Sequence, residues 1–152
     1  MKHFSIDELS ASDSARLHKI DNTPDARIRA RLAELANGIL DPIREKWGSG
    51  ICITSGYRCA TLNRIVGGSP TSAHLLGYAA DTVPSNHDMC GYKKVVLEWA
   101  KNNIFDQIIL EYPDKQGNPR WIHLAIRNAY GKQRRQVLMT NDGKTYKPVS
   151  HP

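Results

Sequence analysis

From Ile28 onward, apolar residues recur at steps of three and four: Ile28, Leu32, Leu35, Ile39, Ile43 and Trp47. That spacing lays one apolar stripe along a helix and predicts the strongest amphipathic helix in the chain. Asn22-Thr23-Pro24-Asp25 predicts a turn and an N-cap before it, with Pro24 at the first helical position. Pro42 is expected to bend or divide the helix, and Gly48-Ser49-Gly50 to end it. Upstream, Ser5-Ile6-Asp7-Glu8 has the form of a capping box and predicts a short helix, as does the stretch from Ser12 to Lys19. Asp88 to Asn102 predicts a second amphipathic helix, with Tyr92, Val95, Val96 and Trp99 on one face.

Between and after these helices the pattern shortens. Ile51-Cys52-Ile53-Thr54 is a β-branched run and predicts a strand, followed by a turn at Ser55-Gly56-Tyr57-Arg58. Ala60 to Val66 predicts one or two helical turns stopped by Gly67-Gly68. Tyr78 to Val83 predicts a buried strand, and Arg135 to Met139 a last one. Gln107 to Tyr112 and Trp121 to Ile126 predict two strands joined across Asp114-Lys115-Gln116-Gly117-Asn118. The polar tail from Thr145, with two prolines, is expected to be loose. Helices first and strands later predict an α+β fold, with helices packed on one side of an antiparallel sheet.

A chain of 152 residues fits one domain, taken as residues 1–152. With 40% hydrophobic and 24% charged residues, collagen, coiled coil and wholesale disorder are excluded. No apolar run reaches the roughly 18 residues of a membrane span. The first residues lack the apolar region of a secretory signal, so synthesis in the cytoplasm is expected. Three cysteines, Cys52, Cys59 and Cys90, are too few and wrongly spaced for a disulfide framework or a cysteine zinc site. A formal charge of +6 favours an anionic partner without choosing one. Basic clusters occur at Lys132, Arg134 and Arg135 and at Arg27, Arg29 and Arg31, but no nucleic-acid-binding motif accompanies them.

The chemistry concentrates in Ser72-Ala73-His74-Leu75-Leu76-Gly77-Tyr78-Ala79-Ala80-Asp81 and in Arg120-Trp121-Ile122-His123-Leu124. Two imidazoles and a carboxylate, His74, His123 and Asp81, make a ligand set suited to zinc, with a fourth position open to water. Gly77 permits a tight reversal, and Ala79 and Ala80 let a backbone approach closely. Taken alone, a His and an Asp at this spacing fit an ordinary core or surface pair as readily as a metal site.

The wider pattern changes that. Ser72-x-His74-x-x-Gly77-x-Ala79-x-Asp81 followed by Trp121-x-His123 resembles the zinc signature of the M15 peptidases. These are D-Ala-D-Ala carboxypeptidases, related dipeptidases and phage endolysins that cleave murein stem peptides on a fold shared with the hedgehog signalling domain. Further blocks resemble the small M15A-type branch in order: Phe4 to Leu9, Ile20-Asp21-Asn22-x-Pro24, Leu40 to Arg44, Thr54 to Arg58, Leu62-Asn63-x-x-Val66-Gly67-Gly68-Ser69 and Phe105 to Glu111. The resemblance spans roughly residues 4 to 140. It implies zinc held by His74, Asp81 and His123, peptidoglycan peptides as substrate, a monomer, and action at the bacterial cell wall, as in a phage or prophage lysis protein.

Several relatives carry a catalytic acid three residues before the last His ligand. Arg120 stands there in this chain and cannot serve as a base. Glu111, on the strand preceding His123, is the best replacement; otherwise it is a solvated strand-end carboxylate. Gln107 shares its face by period two and would orient water or substrate, or serve only as a structural hydrogen bonder. Arg58 would stabilise an oxyanion or anchor a substrate carboxylate. Ser72 would bind a substrate carboxylate or cap a turn, and Tyr57 would line the cleft or pack. His3, His18, His87 and His151 match no ligand position. Without catalysis, the same set would describe a zinc-stabilised cell-wall or protein binding module.

Overall fold

The computed structural model describes residues 1–150; His151 and Pro152 lie outside the described residues. Three short or medium helices open the chain: α1 (Ile6–Ser10), α2 (Asp13–Leu17) and α3 (Ala26–Leu35). Each starts on a side-chain cap. Ser5 accepts from the Glu8 amide, Ser12 from Ala15 and Asp25 from Ile28, satisfying N–H groups the helix cannot. The cap of α3 is therefore Asp25, and Pro24 lies one residue before it rather than at the first helical position.

The long amphipathic stretch is divided, as the proline implies. Ala36–Leu40 forms a π-helical turn and α4 (Asp41–Trp47) resumes behind it. Pro42 has no N–H to give and would crowd the carbonyl four residues back, which the wider turn relieves. Gly48 ends α4 in the left-handed region at φ 76°.

A six-stranded sheet follows: β1 (Ile51–Ser55), β2 (Ala79–Pro84), β3 (Gln107–Glu111), β4 (Trp121–Ala125), β5 (Gln136–Thr140) and β6 (Lys147–Pro148). Short α5 (Ala60–Ile65) and longer α6 (Met89–Lys101) lie between strands. The spatial order is β1-β2-β4-β3-β5-β6. The sheet is mixed and not antiparallel throughout, because β3 and β5 run parallel with Ile109 beside Leu138. The chain between β4 and β5 is not a tight hairpin: Arg134 and Arg135 lead it back past β3, where Arg134 grips the buried Asp106 carboxylate at 2.7 and 2.8 Å. In the tail, Lys147–Pro148 pairs with β5, and partly buried Val149 packs on the core.

One sheet face carries Ala80, Ile108, Leu110, Ile122, Leu124 and Val137, all buried. Against it pack Leu32, Leu35, Ile39, Leu40 and Ile43 of the divided helix and Tyr92, Val96 and Trp99 of α6. Each such aliphatic side chain removed from water contributes about 1.5–3 kcal/mol before chain entropy is counted. The polar Thr82 is accommodated there because its hydroxyl bonds the Ile122 carbonyl at 3.0 Å and the Tyr92 hydroxyl at 2.8 Å. With the helices committed to this face, the other face is left for the site. Among the described residues no helix is long and apolar enough to cross a membrane.

Candidate metal centre

Strand register assembles the second face. Asp81 on β2 stands opposite His123 on β4, and His123 opposite Ile109 on β3. One step along, Glu111 stands opposite Trp121, on the same face as His123 by the alternation of side chains. A bulge in β1 between Ile53 and Ser55 turns Ser55 onto this face, opposite Asp81. His74 arrives from a single 3₁₀ turn, Ala73–Leu76. Ser72 Oγ accepts the His74 amide at 3.3 Å and so caps that turn. Gly77 closes it at φ 75°, where a Cβ would sit 3.1 Å from Ile28 Cγ2.

Three ligand atoms converge. His123 Nδ1 lies 3.0 Å from Asp81 Oδ1 and 3.2 Å from His74 Nε2, and His74 Nε2 lies 3.3 Å from Asp81 Oδ1. Ligands about 2.05 Å from a tetrahedral ion are separated by about 3.3 Å. The triangle therefore fits one face of such a coordination shell. Protonation agrees. His74 Nδ1 is 2.8 Å from the Gly56 carbonyl, which can only accept. The proton must sit on Nδ1, leaving Nε2 a lone pair aimed at the other two atoms. Burial pulls the His74 imidazole below its ordinary range, keeping it neutral against the attraction of Asp81. Burial pushes the Asp81 carboxyl up, but the two histidines outweigh it and hold Asp81 well below the usual carboxylate range. Neutral imidazole beside ionised carboxylate is the state a cation requires.

Two further charges face this cluster. Burial, then the charge of Asp81, raises the half-buried Glu111 carboxyl, against smaller pulls from His123, the Trp121 indole and Arg58. The Trp121 indole N–H is buried and completes no hydrogen bond. Arg58 feels both Asp81 and Glu111, and its Nε is buried without a partner.

The Arg58 backbone is pinned from both sides. Asn22 Nδ2 donates to the Tyr57 carbonyl at 2.9 Å, and Asn22 Oδ1 accepts from the Cys59 amide at 2.8 Å. The Arg58 amide itself donates to the His74 carbonyl at 3.2 Å. Gly56 is equally constrained, since a Cβ there would overlap the Leu9 carbonyl oxygen. Asn22 and Gly56 lie in segments quoted for the M15 resemblance, but no role was readable for them.

The remaining candidates are placed differently. Gln107 Nε2 donates to Gln136 Oε1 at 2.8 Å, across the parallel pair. Tyr57 packs against the core, and apart from burial its hydroxyl feels Cys59 and Asp25 rather than the cluster. Arg120 is exposed, with its guanidinium 5.9 Å from the Tyr112 ring centre. The cysteines are all free. Among the described residues, the grouping able to hold a metal ion is His74, Asp81 and His123.

No curated protein matches the chain significantly. The family model described as Peptidase M15 matches residues 2–125, a span that takes in the cluster, Arg58 and Glu111. A chain matched over that much of its length, with its His–Asp–His triangle on the open sheet face, belongs to the peptidase M15 family.

Proposed function

We propose that this chain is a zinc peptidase that hydrolyses peptidoglycan stem peptides, as a D,D-carboxypeptidase or a murein endopeptidase. The observation that carries the reading is the convergence of three metal-competent lone pairs with a raised carboxyl and an unpaired guanidinium on one sheet face. Two imidazoles and one carboxylate suit zinc over harder cations, which prefer more oxygens. Zinc held there supplies Lewis acidity, polarising a scissile carbonyl and bringing the pKa of water from 15.7 to about 7.

The side chains supply the rest. Glu111 takes a proton from the attacking water and returns it to the departing amine. A half-buried carboxyl raised by Asp81 does both better than an exposed glutamate, because its pKa lies nearer the working pH. Arg58 donates to the carbonyl oxygen as negative charge develops, or clamps the terminal carboxylate of the substrate. Ser72, which caps the His74 turn, and Gln107, on the strand of Glu111, would steer substrate. Tyr57 would line the cleft. The +6 charge fits attraction to anionic envelope polymers, and no nucleic-acid partner is required. We read the chain as a monomeric single domain acting at the wall after synthesis in the cytoplasm.

The test is mass spectrometry of purified murein fragments incubated with the protein, with and without a chelator. Metal-dependent appearance of shortened stem peptides is expected. Intact fragments under zinc-replete conditions would leave only a binding module.

A further inference from the structure

Residues after position 125 lie beyond the family match, yet they return to the site. β5 lies beside β3, and β6 beside β5. The pairs Leu138–Pro148 and Met139–Lys147 bring Tyr146, the residue just before β6, to the Thr140 end of β5. Thr140 in turn stands beside Glu111, and Glu111 beside Trp121. Trp121, Glu111 and Thr140 therefore form one row across the sheet, on the side that carries Asp81 and His123, and Tyr146 lies at its end, within reach of the charges of Glu111 and Asp81.

The turn that delivers Tyr146 is tied down. Asp142 Oδ1 accepts the amides of Lys144 at 2.8 Å and Thr145 at 2.7 Å, and Thr140 Oγ1 accepts that of Gly143 at 2.9 Å. Gly143 adopts φ 70° and brings the turn against Tyr112, whose hydroxyl would lie 2.9 Å from a Cβ there. The Tyr112 ring meets that of Trp121, the strand partner of Glu111, at 5.2 Å. The Tyr146 hydroxyl donates to the Gly143 carbonyl at 3.1 Å, while the residue stays 44% exposed. Burial and then the charge of Glu111 push this phenol up, with Tyr112, Asp142 and Asp81 adding to it, so it is neutral at neutral pH.

We propose that Tyr146 is a substrate-contact residue: its ring walls the cleft on the Glu111 side, and its oxygen accepts a backbone N–H of the bound peptide. The proton of the hydroxyl is committed to Gly143, which leaves only lone pairs to offer. A ring held by a fixed turn loses little side-chain freedom on binding, so the contact favours affinity. This inference rests on the peptidase reading and adds a specificity element from outside the family-matched span.

The test is calorimetric titration of a soluble murein peptide into the zinc-loaded Glu111→Gln protein, with and without Tyr146→Ala or Tyr146→Phe. Tyr146→Ala should weaken binding about tenfold and Tyr146→Phe about threefold, the latter keeping the ring if the former loosens the turn. In the active protein, KM should rise by the same factors while kcat stays within about twofold. Binding unchanged in both variants while the parent binds and cleaves would overturn this inference alone. A parent that binds no murein peptide would overturn the peptidase reading and this inference with it.

Discussion

Replacing Glu111 with Gln removes one proton acceptor and leaves the side-chain shape. The strand pairing of Glu111 with Trp121 and Thr140 is backbone pairing, so the fold should survive. Loss of a positioned general base costs about 10²–10⁴ in rate, or about 3–5 kcal/mol on the barrier. Burial and Asp81 raise the carboxyl, making it a stronger base than an exposed glutamate. The substitution also removes a charge that Arg58 feels. The assay is steady-state cleavage of a defined murein peptide, followed by chromatography, alongside metal analysis of both proteins. The expected result is kcat down by about 10²–10⁴ with metal content unchanged. Activity within about threefold of the parent would refute the assignment of Glu111, because a neutral amide cannot accept the proton.

Arg58→Ala should lower kcat/KM by about 10²–10³, measured on the same peptide, with zinc retained; an unchanged value would remove Arg58 from the site. Gly56→Ala should destabilise by about 1–3 kcal/mol in denaturant unfolding and weaken metal binding as well, because the overlap with Leu9 moves the carbonyl that orients His74. Metal retention should persist below pH 6.5, the ordinary value for a histidine. The sign follows from His74 and Asp81, both shifted downward, so protons compete for these ligands only at lower pH than in free side chains. Titration of metal-loaded protein with a chromophoric zinc indicator checks this, and release beginning above pH 7 would contradict it.

Much of the architecture can be read along the chain, because most of its determinants are local. Ser5, Ser12 and Asp88 announce helix starts, and the Ile28-to-Trp47 stripe together with Pro42 announces one helix in two parts. His74, Asp81 and His123 stand out only through the resemblance of the segments around them to the M15 peptidases, since a His and an Asp at that spacing are by themselves a weak signal. What stays hidden is nonlocal. Strand direction carries no local signature, so the parallel pairing of β5 with β3 shows only in the fold, where Arg134 grips the buried Asp106 carboxylate just before β5. β6 is two residues long and polar, and no periodicity marks it. Asn22 and Tyr146 acquire meaning only from what the fold brings to them, a loop backbone 35 residues away in one case and a row of sheet neighbours in the other.

On the reading proposed above, His74, Asp81 and His123 together hold the metal on which hydrolysis depends. The most direct measurement is elemental analysis of the purified parent and of His74→Ala, with murein-peptide cleavage recorded on the same samples. One zinc per parent chain, its loss in the variant and loss of cleavage with it are expected. Substoichiometric zinc in the parent, together with unchanged cleavage by His74→Ala, would contradict the account.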